Sequence, residues 1–294
     1  MNRLTYLLAL LAVLFGALNA LFGEGEGARR PRQETVAPQP LGPPLTPLTP
    51  PRRAGPSGPT IEVDVGAKGS STGTAFAISP DGWWLTARHV AHGCDALWIQ
   101  TAPRKGLRVT EVHLHPNADL ALLRTRSGRA ALPLASLVQG VPSRGESGFS
   151  SGYPQGRPGD VQARVIGQAR LKSVGRYRIN EPILAWAEVS RQPSNLPALG
   201  GLSGGPMLND QGRVVGVLVA SSKRRGRVMT TSQASIHELL AQFPAAQFSG
   251  AQGPVGTLAG RIDGNSYTTV GASLRQDLTV AKVICQVKQT RRRP

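Results

Sequence analysis

The apolar positions of this chain fall into distinct regimes. Residues 4–22 follow Asn2 and Arg3 as one nearly continuous apolar run, relieved only by Thr5, Gly16 and Asn19. As a helix this run would be about 28 Å long, enough to cross the hydrocarbon core of a bilayer. From residue 60 the period shortens to two: Ile61, Val63 and Val65 alternate with Glu62 and Asp64, which predicts a half-buried strand. The runs 72–78 and 83–87 flank Ser79-Pro80-Asp81-Gly82, a hairpin turn. Further strands are predicted over 96–100, 107–114 and 120–125, and six strands at this spacing suit one closed antiparallel barrel. A second set covers 148–151, 160–170, 183–189, 207–208 with 214–220, and 227–230, and is read as a second barrel. Over 232–243 the period lengthens to that of a helix. Ile236, Leu239, Leu240 and Phe243 share one face, Ser232 or Ser235 caps the start, and Pro244 ends it.

Two stretches lack a core-forming period. Residues 24–59 are dense in proline, as in Pro43-Pro44-Leu45-Thr46-Pro47-Leu48-Thr49-Pro50-Pro51. Such a segment prefers extended polyproline geometry, about 3.1 Å per residue, and acts as a semi-rigid spacer. Beyond residue 244 the chain reads first as a Gly/Ala/Gln linker. Residues 267–288 look ordered, either as one helix or as a helix followed by a β-branched strand over 279–287, and the pattern fits both. The expected organisation is a membrane anchor over 1–23, a Pro-rich linker over 24–59 and a folded domain over 60–243. Within that domain the first barrel covers about 60–140, the second about 141–231, and the helix 232–243. Residues 244–294 form a linker and a small C-terminal element. For the first segment, a cleaved signal would want small residues before the cut, and cutting after Ala20 leaves Leu18 at the third position. An uncleaved anchor is therefore expected, and under either reading the body of the protein is exported.

The charge changes this picture little. The formal net charge is +17 and the isoelectric point about 11.3. The arginines are scattered, with dense clusters only at residues 223–227 and 291–293. No zinc-ligand spacing, Walker loop or aromatic–basic repeat accompanies them, so nucleic acid is not an expected partner. Contact with an anionic lipid or polymer stays open. His92 lies three residues after His89 without a third ligand, so no metal site is expected and His92 is read as solvated. His113 and His115 are read as surface or loop residues, and His237 as partly exposed.

The candidate chemistry lies in three short motifs. Gly201-Leu202-Ser203-Gly204-Gly205-Pro206 places a serine between glycines, which let the backbone turn tightly and expose Oγ. The N–H groups of Gly201 and Ser203 are candidates to bind an oxyanion. Upstream, Thr86-Ala87-Arg88-His89-Val90 supplies a candidate base, and Asp119-Leu120-Ala121-Leu122-Leu123 a candidate acid to orient it. Taken singly, each has a bland reading as a glycine-rich turn, a core histidine or a turn aspartate.

Together, in the order His, Asp, Ser, these motifs resemble those of trypsin-like serine proteases of the chymotrypsin fold, in particular the bacterial HtrA-like branch. The resemblance covers about residues 60–243, and Gly152-Tyr153-Pro154 is similar to a step found at this place in that branch. It implies an all-β fold of two antiparallel six-stranded β-barrels with a closing C-terminal helix, and a catalytic cleft between the barrels. It further implies a serine endopeptidase acting on protein or peptide substrates, without cofactor, tethered at the inner membrane with its domain in the periplasm. The tail is too short for the PDZ domain that follows the protease in many HtrA-like chains. One departure stands out: Asn195-Leu196-Pro197-Ala198-Leu199-Gly200-Gly201 replaces the usual N-P-G-N approach to the serine. A second class of function, an idle protease fold that captures peptides or anionic envelope polymers, rests on that departure. The expected pocket residues Leu199, Val219, Ala220 and Ser221 carry no carboxylate, which predicts a small or medium apolar residue before the scissile bond.

The chain has two cysteines, Cys94 and Cys285. Export places them in an oxidising compartment, where two thiols either pair or stay buried as small hydrophobes. A Cys94–Cys285 bridge is the expectation with a structural use, since it would pin the tail to the first barrel.

Overall fold

The computed structural model describes residues 58–134, 140–222, 226–244, 248 and 261–288. The expected anchor, the linker as far as residue 57, most of 245–260, and the basic residues 223–225 and 291–293 lie outside the described residues. Among the described residues no helix is long and apolar enough to cross a membrane. The architecture is mostly strand.

The first body is a closed six-stranded barrel. Its early strands are β2 (Ser71–Ser79), β3 (Trp83–Thr86), β4 (Ala96–Ala102), β5 (Lys105–Leu114) and β6 (Ala121–Thr125), and a one-turn helix α1 (Arg88–Ala91) follows β3. Its last strand is β13 (Val280–Gln286), so the order around the barrel is β13-β2-β3-β6-β5-β4. Trp84 is fully buried in this body, and its indole N–H is satisfied by Thr125 Oγ1 at 2.9 Å.

Two expectations are corrected here. The strand β1 (Thr60–Val65) was placed in the first barrel, but it runs parallel to β8 (Gly159–Gly175), from Thr60 against Arg170 to Val65 against Gly175. The C-terminal element was placed outside the folded domain, yet β13 pairs with β2 on one side and β4 on the other. Burial explains the exchange. β1 alternates between half-buried and exposed positions, which suits a strand with one covered face. Val280, Ala281 and Val283 are fully buried, which suits a strand flanked on both edges. The tail reads as a helix, α3 (Tyr267–Gln276), followed by a strand, the second of the two alternatives.

Cys94 and Cys285 are bonded, with 191 residues of sequence separation. Closing so long a loop contributes about 5 kcal/mol in the chain-entropy model. The bond therefore supports β13 in the barrel rather than pinning a separate appendage.

The second body is a seven-stranded sheet in the order β1-β8-β7-β10-β11-β12-β9. Its remaining strands are β7 (Ser147–Gly152), β9 (Ile179–Gln192), β10 (Pro206–Leu208), β11 (Val214–Ser222) and β12 (Arg227–Thr231). Because β9 also pairs with β8, the pairing returns to its start through β8, β7, β10, β11, β12 and β9. Trp186 sits fully buried within it, its N–H held by Thr230 Oγ1 at 3.0 Å. The helix α2 (Gln233–Leu240) follows β12, with Ser232 Oγ accepting the Ser235 N–H at 3.1 Å as a cap. Ile236, Leu239 and Leu240 bury in one cluster with Trp83, Leu132 and Val217, which joins the two bodies.

The tail also grips the second body. In α3, Arg275 meets Asp160 of β8 through two bonds, Nη1 to Oδ1 at 2.6 Å and Nη2 to Oδ2 at 2.9 Å. One turn earlier, Gly271 lies so close that a Cβ there would fall 2.0 Å from Asp160 Oδ1. Both charged side chains are largely buried. Removing one partner leaves an uncompensated charge, so Arg275→Met should lower the unfolding free energy by about 3–5 kcal/mol in urea titrations. Adding Asp160→Asn should recover much of that loss. A single variant as stable as the parent would show that this pair does not hold the tail.

Candidate active site

The histidine arrives on α1, immediately after β3 ends at Thr86. Asp119 precedes β6, which pairs with β3, so one pair of neighbouring strands brings the two residues together. The contact is double. The His89 backbone N–H donates to Asp119 Oδ1 at 2.8 Å, and His89 Nδ1 lies 2.7 Å from Asp119 Oδ2. The carboxylate therefore fixes both the position of the residue and the rotation of its ring. With Nδ1 engaged, Nε2 is the free ring nitrogen, and the side chain retains 29% exposure. Asp119 itself is buried, with only 5% exposure.

Two residues outside the sequence motifs complete the surroundings of Asp119. The Tyr177 hydroxyl donates to Asp119 Oδ1 at 3.1 Å, and the Asp119 N–H donates to Glu181 Oε1 at 2.8 Å. Burial alone would push the Asp119 carboxyl up. The charge and hydrogen bonds of His89, with the Tyr177 hydroxyl, outweigh it and hold the group below its ordinary 3.8. Burial and the neighbouring Asp119 charge push Tyr177 well up, so it stays a hydroxyl and a donor. Glu181 is nearly inaccessible, its Oε2 has no partner, and burial raises it well above the usual carboxylate range. Neither residue carried a signal in the sequence, because Tyr177 sits in the β8–β9 turn and Glu181 at the start of β9, where the polar pattern reads as loop.

The serine loop is held from the other side. Thr74 of β2 is fully buried and uses all its polar groups. Its N–H donates to Ser203 O at 2.9 Å, and its hydroxyl donates to Gly201 O at 2.8 Å. The same hydroxyl accepts the Tyr153 N–H at 3.1 Å, and its carbonyl accepts Thr86 Oγ1 at 2.7 Å. Gly204 explains why no side chain fits after the serine. Its φ is +87°, and a Cβ there would fall 2.2 Å from Thr86 Oγ1 and 3.0 Å from Ala87 N. The serine loop thus abuts the end of the strand that delivers His89. Among the described residues, no hydrogen bond joins the Ser203 hydroxyl to His89. Catalytic contacts of this kind are often long without substrate and tighten when it binds.

Around the serine the backbone donors divide. The Leu202, Gly204 and Gly205 N–H groups bond to Leu199, Leu218 and Leu202 carbonyls at 2.9, 2.7 and 2.9 Å. Among the described residues, the Gly201 and Ser203 N–H groups have no such acceptor within the protein. The unusual approach loop is braced at Gly200, whose carbonyl accepts the Gln155 N–H at 2.6 Å and the Gln155 side-chain amide at 3.2 Å.

The expected pocket residues separate. Val219 and Ala220 line a cavity of about 320 Å³ that also includes His89 and Asp119. Leu199 is buried within the core of the second body, and Ser221 is exposed on β11. His115, read from sequence as a surface or loop residue, is instead buried, with Nε2 3.4 Å from Glu238. In the polar run His115-Pro116-Asn117, Pro116 and Asn117 are exposed as a loop would be, but His115 turns inward to Glu238 of α2. Among the described residues, no group of His, Cys, Asp and Glu is arranged to hold a metal ion.

Comparison with known proteins places this geometry in context. A family model described as a trypsin-like peptidase domain matches residues 73–217. A probable periplasmic serine endoprotease, DegP-like, of Hahella chejuensis is 30% identical over 165 residues, covering 55% of this chain and 32% of its own length. Its counterpart from Pseudomonas fluorescens is 29% identical over 163 residues, with the same coverage of 55% and 32%. The match thus spans about a third of the length of these curated relatives. Among solved structures, the active form of the Rv3671c protease from M. tuberculosis aligns with a TM-score of 0.47 and 24% identity, covering 63% of this chain and 76% of that one.

Two outcomes follow from the site's supports. Thr74→Val removes the hydroxyl and leaves the Gly201 carbonyl and Tyr153 N–H unpaired, at a cost of about 1–3 kcal/mol. It should slow labelling by a fluorophosphonate far more than Thr74→Ser; equal rates would separate Thr74 from the placement of the loop. For Glu181 the folded state holds a proton that the unfolded chain releases above the usual 4.5. The unfolded state then binds fewer protons, so this residue makes stability fall as pH rises through that window. Glu181→Gln removes the term. Its unfolding free energy relative to the parent should improve as pH rises above the usual carboxylate range, and a flat difference would mean that Glu181 ionises normally.

Proposed function

We propose that this chain, which carries a trypsin-like peptidase domain over residues 73–217, is a serine endopeptidase that cleaves protein or peptide substrates. The observation that carries the reading is the double hold of Asp119 on His89, with the serine loop abutting the same strand end. We read the continuous six-strand pairing of the second body as its second barrel, with the cleft between the two. In the proposed reaction His89 Nε2 takes the proton from Ser203 Oγ as the oxygen attacks the scissile carbonyl. The carbonyl oxygen becomes an oxyanion, received by the Gly201 and Ser203 N–H groups. The imidazolium, stabilised by buried Asp119, then gives its proton to the leaving amine. Water enters and attacks the acyl ester as His89 takes its proton, and His89 then returns that proton to Ser203 Oγ as the ester bond breaks, releasing the acid product and regenerating both residues. No step calls for a metal or cofactor.

The location is part of the same reading. Residues 1–23 act as an inner-membrane anchor, and the Pro-rich linker over 24–59 holds the domain in the periplasm. The DegP-like relatives are probable periplasmic serine endoproteases, which supports this placement. The bridge between Cys94 and Cys285 agrees with an oxidising compartment.

A fluorophosphonate probe tests the reaction directly, because it labels only an activated serine. The parent should be labelled and should hydrolyse peptides, favouring a small or medium apolar residue before the bond. Ser203→Ala should lose both activities while keeping its fold, and His89→Ala should lose nearly as much. Peptidase activity surviving in Ser203→Ala would overturn the assignment. A folded parent that the probe never labels would leave an idle protease fold that captures peptides, the reading that rests on the altered approach to the serine over residues 195–201. A library profile dominated by Arg or Lys before the bond would remove the apolar preference.

A further inference from the structure

The cavity that contains His89 and Asp119 carries a charge that the peptidase reading does not use. Its lining includes the apolar Leu171, Ile179 and Val219 and two cations, Lys68 and Arg176. Lys68, in the connection between β1 and β2, donates to His89 O at 2.9 Å and to Val90 O at 3.0 Å. Arg176, in the β8–β9 turn, reaches the same His89 carbonyl with Nη2 at 3.5 Å. Its backbone is fixed there by a bond from its N–H to Val65 O at 2.9 Å. The two cations therefore meet over one carbonyl oxygen of the candidate base.

Neither cation has an anionic partner. Among the described residues, no salt bridge involves Lys68 or Arg176. Arg176 Nε and Nη1 are shielded from solvent and have no hydrogen-bond acceptor. The acids nearby are accounted for: Asp119 is engaged by His89 and Tyr177, and Asp64 lies exposed at the rim. Leaving guanidinium donors dry and unpaired is unfavourable unless something else fills the place. The strain of like charges is also visible on Lys68, which burial and then Arg176 push down to about 8. His92 next door is lowered by burial and by Arg176, Arg88 and Lys68.

The geometry points to a specificity subsite in which Lys68 and Arg176 receive the carboxylate of an acidic side chain of the bound substrate. A carboxylate accepts readily from a guanidinium, and Arg176 has unpaired donors at Nε and Nη1; Lys68, whose three N–H groups are taken by Ser71 Oγ, His89 O and Val90 O, adds its charge rather than a further bond. The apolar lining residues would cover the methylene stem of a glutamate. Since His89 lines the same cavity, the acidic residue must lie at one fixed position close to the scissile bond. The inference rests on the endopeptidase reading for its kinetic test, but the subsite can also be read by binding alone.

The experiment profiles the full chain with a peptide library, then compares a matched pair of peptides that differ by Glu or Gln at the selected position. Asp or Glu should be enriched at that single position, and the Glu peptide should be cleaved with kcat/KM about ten-fold or more above the Gln peptide. Within Arg176→Ala and within Lys68→Met the ratio should fall towards one. Arg176→Glu should turn the preference towards a Lys peptide. A parent that is labelled by fluorophosphonate yet shows no Glu over Gln preference overturns the subsite, as does a preference untouched by every variant. If the probe does not label the parent, the hydrolase reading fails separately. The same two peptides, made fluorescent, are then compared by anisotropy: tighter binding of the Glu peptide that Arg176→Ala removes supports the subsite, and equal affinity overturns it.

Discussion

The site depends on Thr74 more than on any member of the candidate triad. His89 and Asp119 belong to the first body, whereas Ser203 belongs to the second, so their registration requires a link that crosses between them. Thr74 supplies it with three polar groups from one residue: its N–H donates to Ser203 O, its hydroxyl donates to Gly201 O, and its carbonyl accepts from Thr86 Oγ1. The first two bonds set the height of the serine loop, and the third ties that height to the end of β3. Gly204 then lets the loop approach to a distance that any Cβ would forbid. A buried residue with every polar atom used has little freedom to drift, and a reacting geometry is sensitive to drift of about 1 Å.

The same logic of enforced placement governs the acid. Asp119 has lost its water, and an unsupported buried carboxylate would take up a proton. It stays ionised because His89 supplies two donors and Tyr177 a third. Glu181 plays the complementary part. Burial pushes its carboxyl well above the usual range, and it accepts the Asp119 N–H, so it fixes the backbone of that residue. Two carboxyl groups side by side in one buried pocket are thus pushed in opposite directions, because Asp119 has the donors that offset its burial. On the cavity side the balance is reversed: Lys68 and Arg176 gather positive charge over His89 O with no acid to answer it.

How much of this was legible in the sequence follows from what each part depends on. The strands β2 to β12 were readable because their apolar residues repeat at short period between Gly, Pro and Asp turns. His89, Asp119 and Ser203 were readable because their neighbours carry the constraints of strand ends and a tight glycine turn. Thr74 was not readable, since a threonine inside an apolar strand looks like ordinary β-propensity and its role lies in contacts 127 to 129 positions away along the chain. Tyr177 and Glu181 were hidden for a similar reason. The exchange of β1 for β13 was missed because local period predicts a strand but says nothing about which sheet it joins. That choice is made by burial on both edges, and only the assembled core supplies it.

That exchange alters what the tail must be. With β13 as a stave between β2 and β4, the first barrel remains open until residues near the C-terminus arrive. The histidine lies on the turn after β3, adjacent to β2, so the barrel that carries it gains its last edge from a strand nearly 200 positions distant in sequence. Contacts of such separation carry a large loop-closure entropy before they return any stabilisation. Three devices offset that entropy. The bond between Cys94 and Cys285 limits the unfolded chain, α3 clamps Asp160 through Arg275, and β13 buries Val280, Ala281 and Val283 completely. Because Asp160 opens β8, and β8 leads to Tyr177 and Glu181, the clamp on the tail also braces the strand that supports Asp119. The C-terminal segment is therefore part of what holds the candidate site, joined to the strand that supports Asp119 on one side and to the barrel that carries His89 on the other.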